Sequence, residues 1–494
     1  MGTFARTDQS PSPLRPAPRP VLPLPVGFGL KADPDLRVAP DGRVLFGGSP
    51  MRVLRLRPRA AEMVEGWLGG ALVEDQRSDR RVARKLVAAG ALHPVPPDVP
   101  PGVLATVVVP VRERSQQLAR VLGSLGGVPA VVADDASTPG AEIEKVAREA
   151  GAGYVRLEAH SGPAAARNAG LATVRSPLVA FIDSDCVAPT GWLDRLIGHF
   201  ADPQVALVAP RIRASAGQSW LGRYETAMSP LDLGPNPGRI APRTRIGYVP
   251  AAAIVVRRAA FGGRAFDERL SAGEDIDLVW RLVGAGWEAR YVPEVEVAHE
   301  SEVRPLQWAM RRVIYGSSAG PLGLAHGDAV APARLSPVTA ASVALLASGR
   351  PLAAIGASAT GTAVLAGRLA GVVDDPLEAA ARLAAVGTIR SSVSAVAGMA
   401  RAWSPALVLS LCIRRLGRLR AVAAVALAVR ALDGWERRPR DLDPTRYLAA
   451  RAADDLSYAA GLWWGAARSR TPRPLLPAIA ALKRPARRAA DPTD

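Results

Sequence analysis

Cysteine is nearly absent: Cys186 and Cys412 are the two in 494 residues. Two such distant thiols form neither a disulfide framework nor the paired spacing of a zinc site, so a reducing interior suits the chain. Lysine is almost as scarce, at Lys31, Lys85, Lys145 and Lys483, which leaves arginine to carry the positive charge. Lys and Arg number 62 against 45 Asp and Glu, a formal net charge of +17. The excess points to acidic partners: phosphates, a nucleotide or anionic lipid headgroups. Nucleic acid is not among them, because there is no compact basic run with interleaved aromatics, no zinc-finger spacing and no heptad repeat. The basic-then-apolar order of a signal peptide is missing too, and "SPLRPAPRPVLPLPVG" reads as a Pro-rich leader over 1–34. No run of twenty strongly apolar residues occurs. The longest uncharged stretch, Pro351 to Gly367, is short and dominated by Ala, Gly, Ser and Thr, so peripheral membrane contact through Arg-rich helices is expected rather than a span. A place in the cytoplasm, at the inner face of the cell membrane, follows.

What is present divides into zones, and 49% hydrophobic residues suffice for two or three cores. Over 35–95, "LRVAPDGRVLFGGSPMRVLRLRP" predicts β-rich runs broken by Pro40-Asp41-Gly42 and Gly47-Gly48-Ser49-Pro50. Two helical patterns follow, "AAEMVEGWLGG" and "RRVARKLVAAG". "PVPPDVPPG" then reads as a stiff linker. Over 102–325, strands alternate with helices: "LATVVVPV" before "SQQLARVLGSL", "AVVADD" before "AEIEKVAREAG", "LVAFIDSD" before "GWLDRLIGHF". Continuous apolar strands followed by helices predict an α/β fold with a mostly parallel, Rossmann-like sheet. The remainder, 326–494, is Ala- and Arg-rich and reads as helical.

Ligands of open α/β sheets bind at the carboxyl ends of the strands. Acids gather there: Glu113 beside Arg112, then Asp134 and Asp135, then Asp183 and Asp185. If the strand continues through the last pair, both carboxylates point the same way. Two like charges held so close need a cation, and Mg²⁺ or Mn²⁺ would serve while leaving positions open for a diphosphate. Further on, the acid pair of "GEDIDLVWRL" opens a helix, whose dipole favours carboxylate, and Asp277 and Arg281 are spaced to pair on one face.

Five blocks in this order, "TVVVPVRERSQQLARVLGSL", "VVADDAST", "SGPAAARNAG", "FIDSDCVAPTGWL" and "SAGEDIDLVWRLVGAGWEARYVPEVEVAHE", resemble an inverting family 2 glycosyltransferase of the GT-A fold over roughly Thr106 to His299. The resemblance implies that Pro110 and Glu113 line the nucleoside pocket, that Asp135 with Asp134 beside it bonds the base, and that Arg167 reaches base or phosphate. It further implies that Asp183 and Asp185 take the metal and diphosphate, with His299 as a third metal ligand. Asp275 would be the base that deprotonates the acceptor, and Glu274 would orient it. Tyr315-Gly316 after Arg311-Arg312 sits where the family often carries an acceptor-side or diphosphate-side helix, whose arginines would screen leaving-group charge; a plain surface helix is the alternative. The family's usual DDGST reads DDAST here, which puts Ala136 where glycine is common.

The letters of the Asp183 block also fit a dehalogenase-like phosphatase, but that enzyme needs the block on its first strand and a downstream lysine. A dehydrogenase would need a G-x-G-x-x-G after the first strand. A binding scaffold with a dead transferase domain would be expected to lose one acid pair, and both are kept. The flanks bear on the acceptor. The 35–95 zone resembles small winged-helix peptide-recognition modules of the PqqD type. A module, GT-A domain and Arg/Ala-rich tail in sequence are similar to glycosyltransferases of the mycofactocin system. That likeness implies UDP-glucose as donor, a premycofactocin-type acceptor and a β-1,4-linked glucose chain. A cell-envelope transferase acting on a lipid-linked or polysaccharide acceptor is the alternative.

Overall fold

A computed structural model describes residues 19–98, 104–215, 217–262, 265–373 and 375–479, without the side chains of 386–391. At its centre lies a nine-stranded sheet. Gly153–Arg156, Ala130–Asp134, Ala105–Val111 and Leu178–Ile182 run parallel side by side. Their apolar runs are continuous because helices cover both faces, which divides the buried residues into two cores, one per face. Beyond Leu178–Ile182 the pairing reverses. Ala253–Arg257 enters antiparallel, followed by Val205–Ser215 and then Glu288–Glu300, and the last two are parallel to each other. The short strand Cys186–Val187 closes that edge against His299 and Ala298. The expected mostly parallel α/β sheet is present, with this antiparallel insertion beside the acid pair.

In the N-terminal part, Arg37–Val38, Val44–Gly47 and Arg52–Arg55 form an antiparallel meander, followed by helices Pro58–Leu68 and Arg77–Ala89. The expected leader needs correction. Residues 1–18 lie outside the described residues, but Gly29–Ala32 is a strand paired with Leu92–Val95, and Leu24 and Phe28 are fully buried. Apolar residues spaced between the prolines give this stretch something to bury. Part of the expected linker, Pro94 and Val95, likewise belongs to a strand. Buried ion pairs fasten these elements to the sheet: Arg84 holds Asp202 and Glu288 at 2.7 Å each, and Arg245 pairs with Asp33.

The C-terminal part is helical. Pro stands in the first turn of Pro305–Ser317, Pro337–Ala347, Pro351–Leu369, Pro376–Ala402 and Pro444–Arg468, where its missing N–H costs nothing. The expected division near 325 is not a packing seam, because Pro305–Ser317 lies against Pro444–Arg468. Gly316-Ser-Ser-Ala-Gly320 meets Gly461-Leu-Trp-Trp-Gly465 there. A Cβ on Gly316 would stand 2.1 Å from the Tyr458 carbonyl oxygen, and one on Gly465 would stand 2.2 Å from that of Ser317. Backbone thus touches backbone. Pro351–Leu369, 19 residues at mean hydropathy 1.3 and mostly exposed, is longer than its uncharged stretch and meets the length and composition of a membrane span.

Candidate active site

The strand Leu178–Ile182 is buried throughout and delivers Asp183 at its end. The backbone then turns rather than continuing extended: the Cys186 N–H donates to the Asp183 carbonyl at 3.0 Å. The turn, not a period-two strand, brings Asp183 and Asp185 into the same cleft. Asp183 is anchored by its own N–H, which donates to the Ala252 carbonyl at 2.9 Å across the antiparallel insertion. Burial, and after it the neighbouring Asp185, push the Asp183 carboxyl up, against the pull of Arg167. Asp185 accepts from Arg114, and its Oδ1 lies 3.5 Å from His299 Nε2.

Among the described residues no three or more His, Cys, Asp and Glu side chains are grouped to hold an ion. The expected set of Asp183, Asp185 and His299 therefore reduces to a pair. Asp185 Oδ1 and His299 Nε2 are close enough to share a divalent ion bound at about 2.1 Å, whereas Asp183 turns Oδ1 to Arg167 at 2.7 Å. The buried His299 Nδ1 has no hydrogen-bond partner of its own. Two protein ligands fit Mg²⁺ or Mn²⁺, ions that keep several positions for water and substrate phosphate.

Pro110, Glu113 and Asp135 line the same cleft. Glu113 sits at φ 57°, its N–H donating to Ser137 Oγ at 2.9 Å. Asp135 accepts from the Ser161 and Gly162 N–H groups at 2.7 and 2.9 Å and lies 2.7 Å from His160 Nδ1. Asp134 departs from expectation. Alternation along the strand turns it away from the cleft, where it is fully buried and accepts from Ser137, from Tyr154 Oη at 2.8 Å and from Arg156 Nη1 at 2.7 Å. Burial alone would raise its carboxyl, but those bonds, led by Ser137, hold it below the usual range. Asp134 is a brace for the loop, not a partner for a base. Ala136, in the glycine position of the motif, takes a left-handed φ of 57°.

Across the cleft, Gly273 at φ 82° starts the helix Glu274–Gly284. That left-handed backbone is what favours glycine there, and a Cβ would also crowd Leu322 and Ser318 at 2.9 and 3.0 Å. Asp275 accepts from the Ala251 and Ile276 N–H groups at 3.1 and 2.8 Å. Burial, and next the adjacent Glu274, push its carboxyl up to about 7. Glu274 is buried and accepts from Arg167 Nη1 at 2.7 Å. Arg167, expected to reach donor base or phosphate, is itself buried between Asp183 and Glu274 and spends its terminal nitrogens on them. Arg312 is also committed, to Glu225 and Asp454, leaving only Arg311 of that pair on the cleft. Asp277 pairs with Arg281 at 2.7 Å as its spacing predicts, and with His326 at 2.9 Å.

Asp183, Asp185, Arg167, Glu274 and Asp275 thus line one cavity of about 1020 Å³. Residues 106–262 match the family described as Glycosyl transferase family 2. A pre-mycofactocin glycosyltransferase from Mycobacterium tuberculosis is 38% identical over 476 residues, 92% of this chain and 98% of that protein. The chain belongs to glycosyltransferase family 2. The phosphatase and dehydrogenase readings fall with that likeness. A second relative, succinoglycan biosynthesis protein ExoU from Rhizobium meliloti, is 30% identical over 200 residues, 37% of this chain and 58% of that protein. Among solved structures, a mannosyltransferase from Pyrobaculum calidifontis in complex with GDP-Man and Mn2+ covers 67% of this chain and 87% of its own at 16% identity. Its TM-score is 0.35, too low to bear on the site.

Sequence reasoning missed several residues of the transferase cleft. Arg114 lies inside the first recognised block and His160 directly precedes the third, and only their partners reveal them. Tyr248, Arg401 and Tyr458 come from elements far apart in the chain and carry no local signal, whereas Tyr315, named with Gly316 from the sequence, does line the cleft.

Proposed function

We propose that the transferase moves glucose from UDP-glucose to a premycofactocin-type acceptor, with inversion at the anomeric carbon and with Mg²⁺ or Mn²⁺, and that repeated transfer builds a β-1,4-linked chain. The observation that carries the reading is Asp275, a carboxyl pushed up to about 7, in the same cleft as Asp183 and Asp185. A base with that affinity is poised to take a proton near neutral pH. As the acceptor oxygen attacks the anomeric carbon, Asp275 takes its proton and the bond from that carbon to the diphosphate oxygen breaks. Attack from the face opposite the leaving group converts an α-linked donor into a β-linked product. Asp185 and His299 would hold the divalent ion, which when bound supplies positive charge against the departing diphosphate. Glu274, tied to Arg167, fixes the first turn of the helix that carries Asp275.

The acceptor rests on the near full-length likeness to the M. tuberculosis protein, flanks included. A place at the inner face of the cell membrane rests on the helix Pro351–Leu369. It exposes Leu352, Ile355 and Val364 between Arg350 and Arg368, a pattern suited to lying at an anionic lipid surface. The test is incubation with a panel of UDP-sugars, Mn²⁺ and either premycofactocin or a lipid extract, followed by mass spectrometry. Successive hexose increments on premycofactocin from UDP-glucose are expected. Modification of lipid alone would overturn the acceptor assignment.

A further inference from the structure

A second cavity, of about 210 Å³, lies where the N-terminal part meets the sheet, and it shares no lining residue with the transferase cleft. Gly29–Ala32, Arg77–Ala89 and Leu92–Val95 border it on one side, and Trp192–Ile197, Gly198–Ala201 and Glu288–Glu300 on the other. Val87, Leu92, Val95, Val292 and Val295 give it an apolar wall. Two buried polar side chains border it with bonding capacity unused. Arg290, 5% exposed, gives Nη2 to Asp202 and Glu288, while its Nε and Nη1 have no hydrogen-bond partner among the described residues. His199, 6% exposed, leaves Nδ1 without one. Buried donors seldom stay unpaired, so both groups call for a partner. Burial, and after it Arg290, push the His199 imidazole down to about 3, so the ring is neutral and offers one N–H. Behind these two the charges cancel, Arg84 and Arg290 against Asp202 and Glu288. Asp33, bonded to the lining His93, is matched by Arg245. Toward solvent the balance fails, because Lys31, Arg195 and Arg239 stand against the single carboxylate of Glu294. Among the described residues Arg195 reaches only the Thr190 and Gly191 carbonyls at 3.4 Å, and Arg239 that of Ala88 at 3.3 Å.

We propose that this cavity binds a small carboxylate with an apolar body, its carboxylate taken by Arg290 and His199 and its body by the valine wall. The space is below the roughly 300–1,000 Å³ of sites for drug-sized ligands, so the occupant has few atoms. Lys31, Arg195 and Arg239 offset its charge, which an uncharged molecule would leave unmet. Phosphate fits less well, because oxygens turned to the valines would lose water and gain no donor. The site depends neither on Asp275 nor on sugar transfer. It joins the N-terminal part to the sheet, and Gly238–Arg239, which pairs with Tyr291 and Arg290, brings the chain on to Pro242 and Arg243 of the transferase cleft.

Saturation-transfer NMR on the full chain with 3-methylbutanoate tests this directly, with 3-methylbutanamide as the uncharged comparison of the same shape. Saturation of the methyl protons is expected from the acid, with a Kd of about 0.1–1 mM for so small a ligand. The amide should bind about tenfold or more weakly, the usual loss when a hydrogen bond to a charged group goes. Val292→Phe, which fills the cavity, should remove the acid's signal, and His199→Phe, which keeps a ring but no donor, should weaken it. Arg239→Gln, at a half-buried position, should weaken it too and keeps the test open if either core variant fails to fold. Arg311→Gln, on the transferase cleft, should leave it unchanged. Silent methyl protons in the wild type, equal signals from acid and amide, or an acid signal unaltered in both Val292→Phe and Arg239→Gln would overturn the site. Loss of signal in Arg311→Gln would place the carboxylate in the transferase cleft instead, and full displacement by equimolar inorganic phosphate would overturn the class of ligand.

Discussion

Asp183 and Glu274 are joined through one guanidinium: Arg167 donates to each at 2.7 Å, from Nη2 and Nη1 respectively. The brace spans the cleft from the donor side to the helix that carries Asp275, and it offsets the charge of the two carboxylates it touches.

Removing the brace should cost stability before it costs chemistry. Arg167→Gln leaves two carboxylates without their cation, and breaking a buried pair in this way costs about 3–5 kcal/mol. Arg167→Lys, with one nitrogen to share, should recover only part of it. Urea denaturation of the three proteins measures the differences, and equal midpoints would show the contact to be idle.

Asp275→Asn should lower kcat by about 10²- to 10⁴-fold, the usual contribution of a general base, with the KM for donor little changed. In the wild type, kcat/KM should fall as pH drops through about 7, because the protonated carboxyl cannot accept. Stability runs the other way. A carboxyl whose affinity is raised on folding stabilises the fold while protonated, so the wild type should weaken as pH rises from the ordinary carboxylate range through about 7. The asparagine variant should therefore melt higher than the wild type at pH 8 and alike near pH 4.

Chelation with EDTA should abolish turnover, and Mn²⁺ should restore it. Asp185→Ala should prevent that recovery while leaving the melting temperature near that of the wild type. His299→Ala should raise the Mn²⁺ concentration for half-activation by about tenfold or more, in line with losses on disturbing a metal shell. Unaltered Mn²⁺ dependence in both variants would remove this pair from the metal site.

Gly465→Ala puts a methyl group 2.2 Å from the Ser317 carbonyl oxygen, and neither backbone can yield easily. Overpacking of this kind costs about 1–3 kcal/mol. Early proteolytic cleavage within 305–468 is expected, together with a higher KM for acceptor and an unchanged KM for donor. A control at Gly356, where a Cβ meets nothing within 4 Å, should show neither effect.

Much of the architecture was written in short-range pattern. The apolar runs at Ala105–Val111 and Leu178–Ile182 name strands covered on both faces, and acids at their ends locate the cleft, because parallel strands finish on one side. The spacing of Asp277 and Arg281 predicts their bond. Such features depend on neighbours within a few residues, where the periods of strand and helix rule. Which of Asp134 and Asp135 faces the cleft was decided by strand pleat and by Tyr154 and Arg156 on the next strand. The turn at Ser184 depended on Ala252 arriving antiparallel, and the role of Arg167 on Glu274, more than a hundred residues away. The runs Gly316-Ser-Ser-Ala-Gly320 and Gly461-Leu-Trp-Trp-Gly465 mean nothing as letters; only their crossing gave them a purpose and put Tyr458 in the same cleft as Asp275. Local sequence determined the elements and the acids at their ends. Tertiary packing decided what those acids touch, because buried charges and backbone contacts find partners in space without regard to separation along the chain.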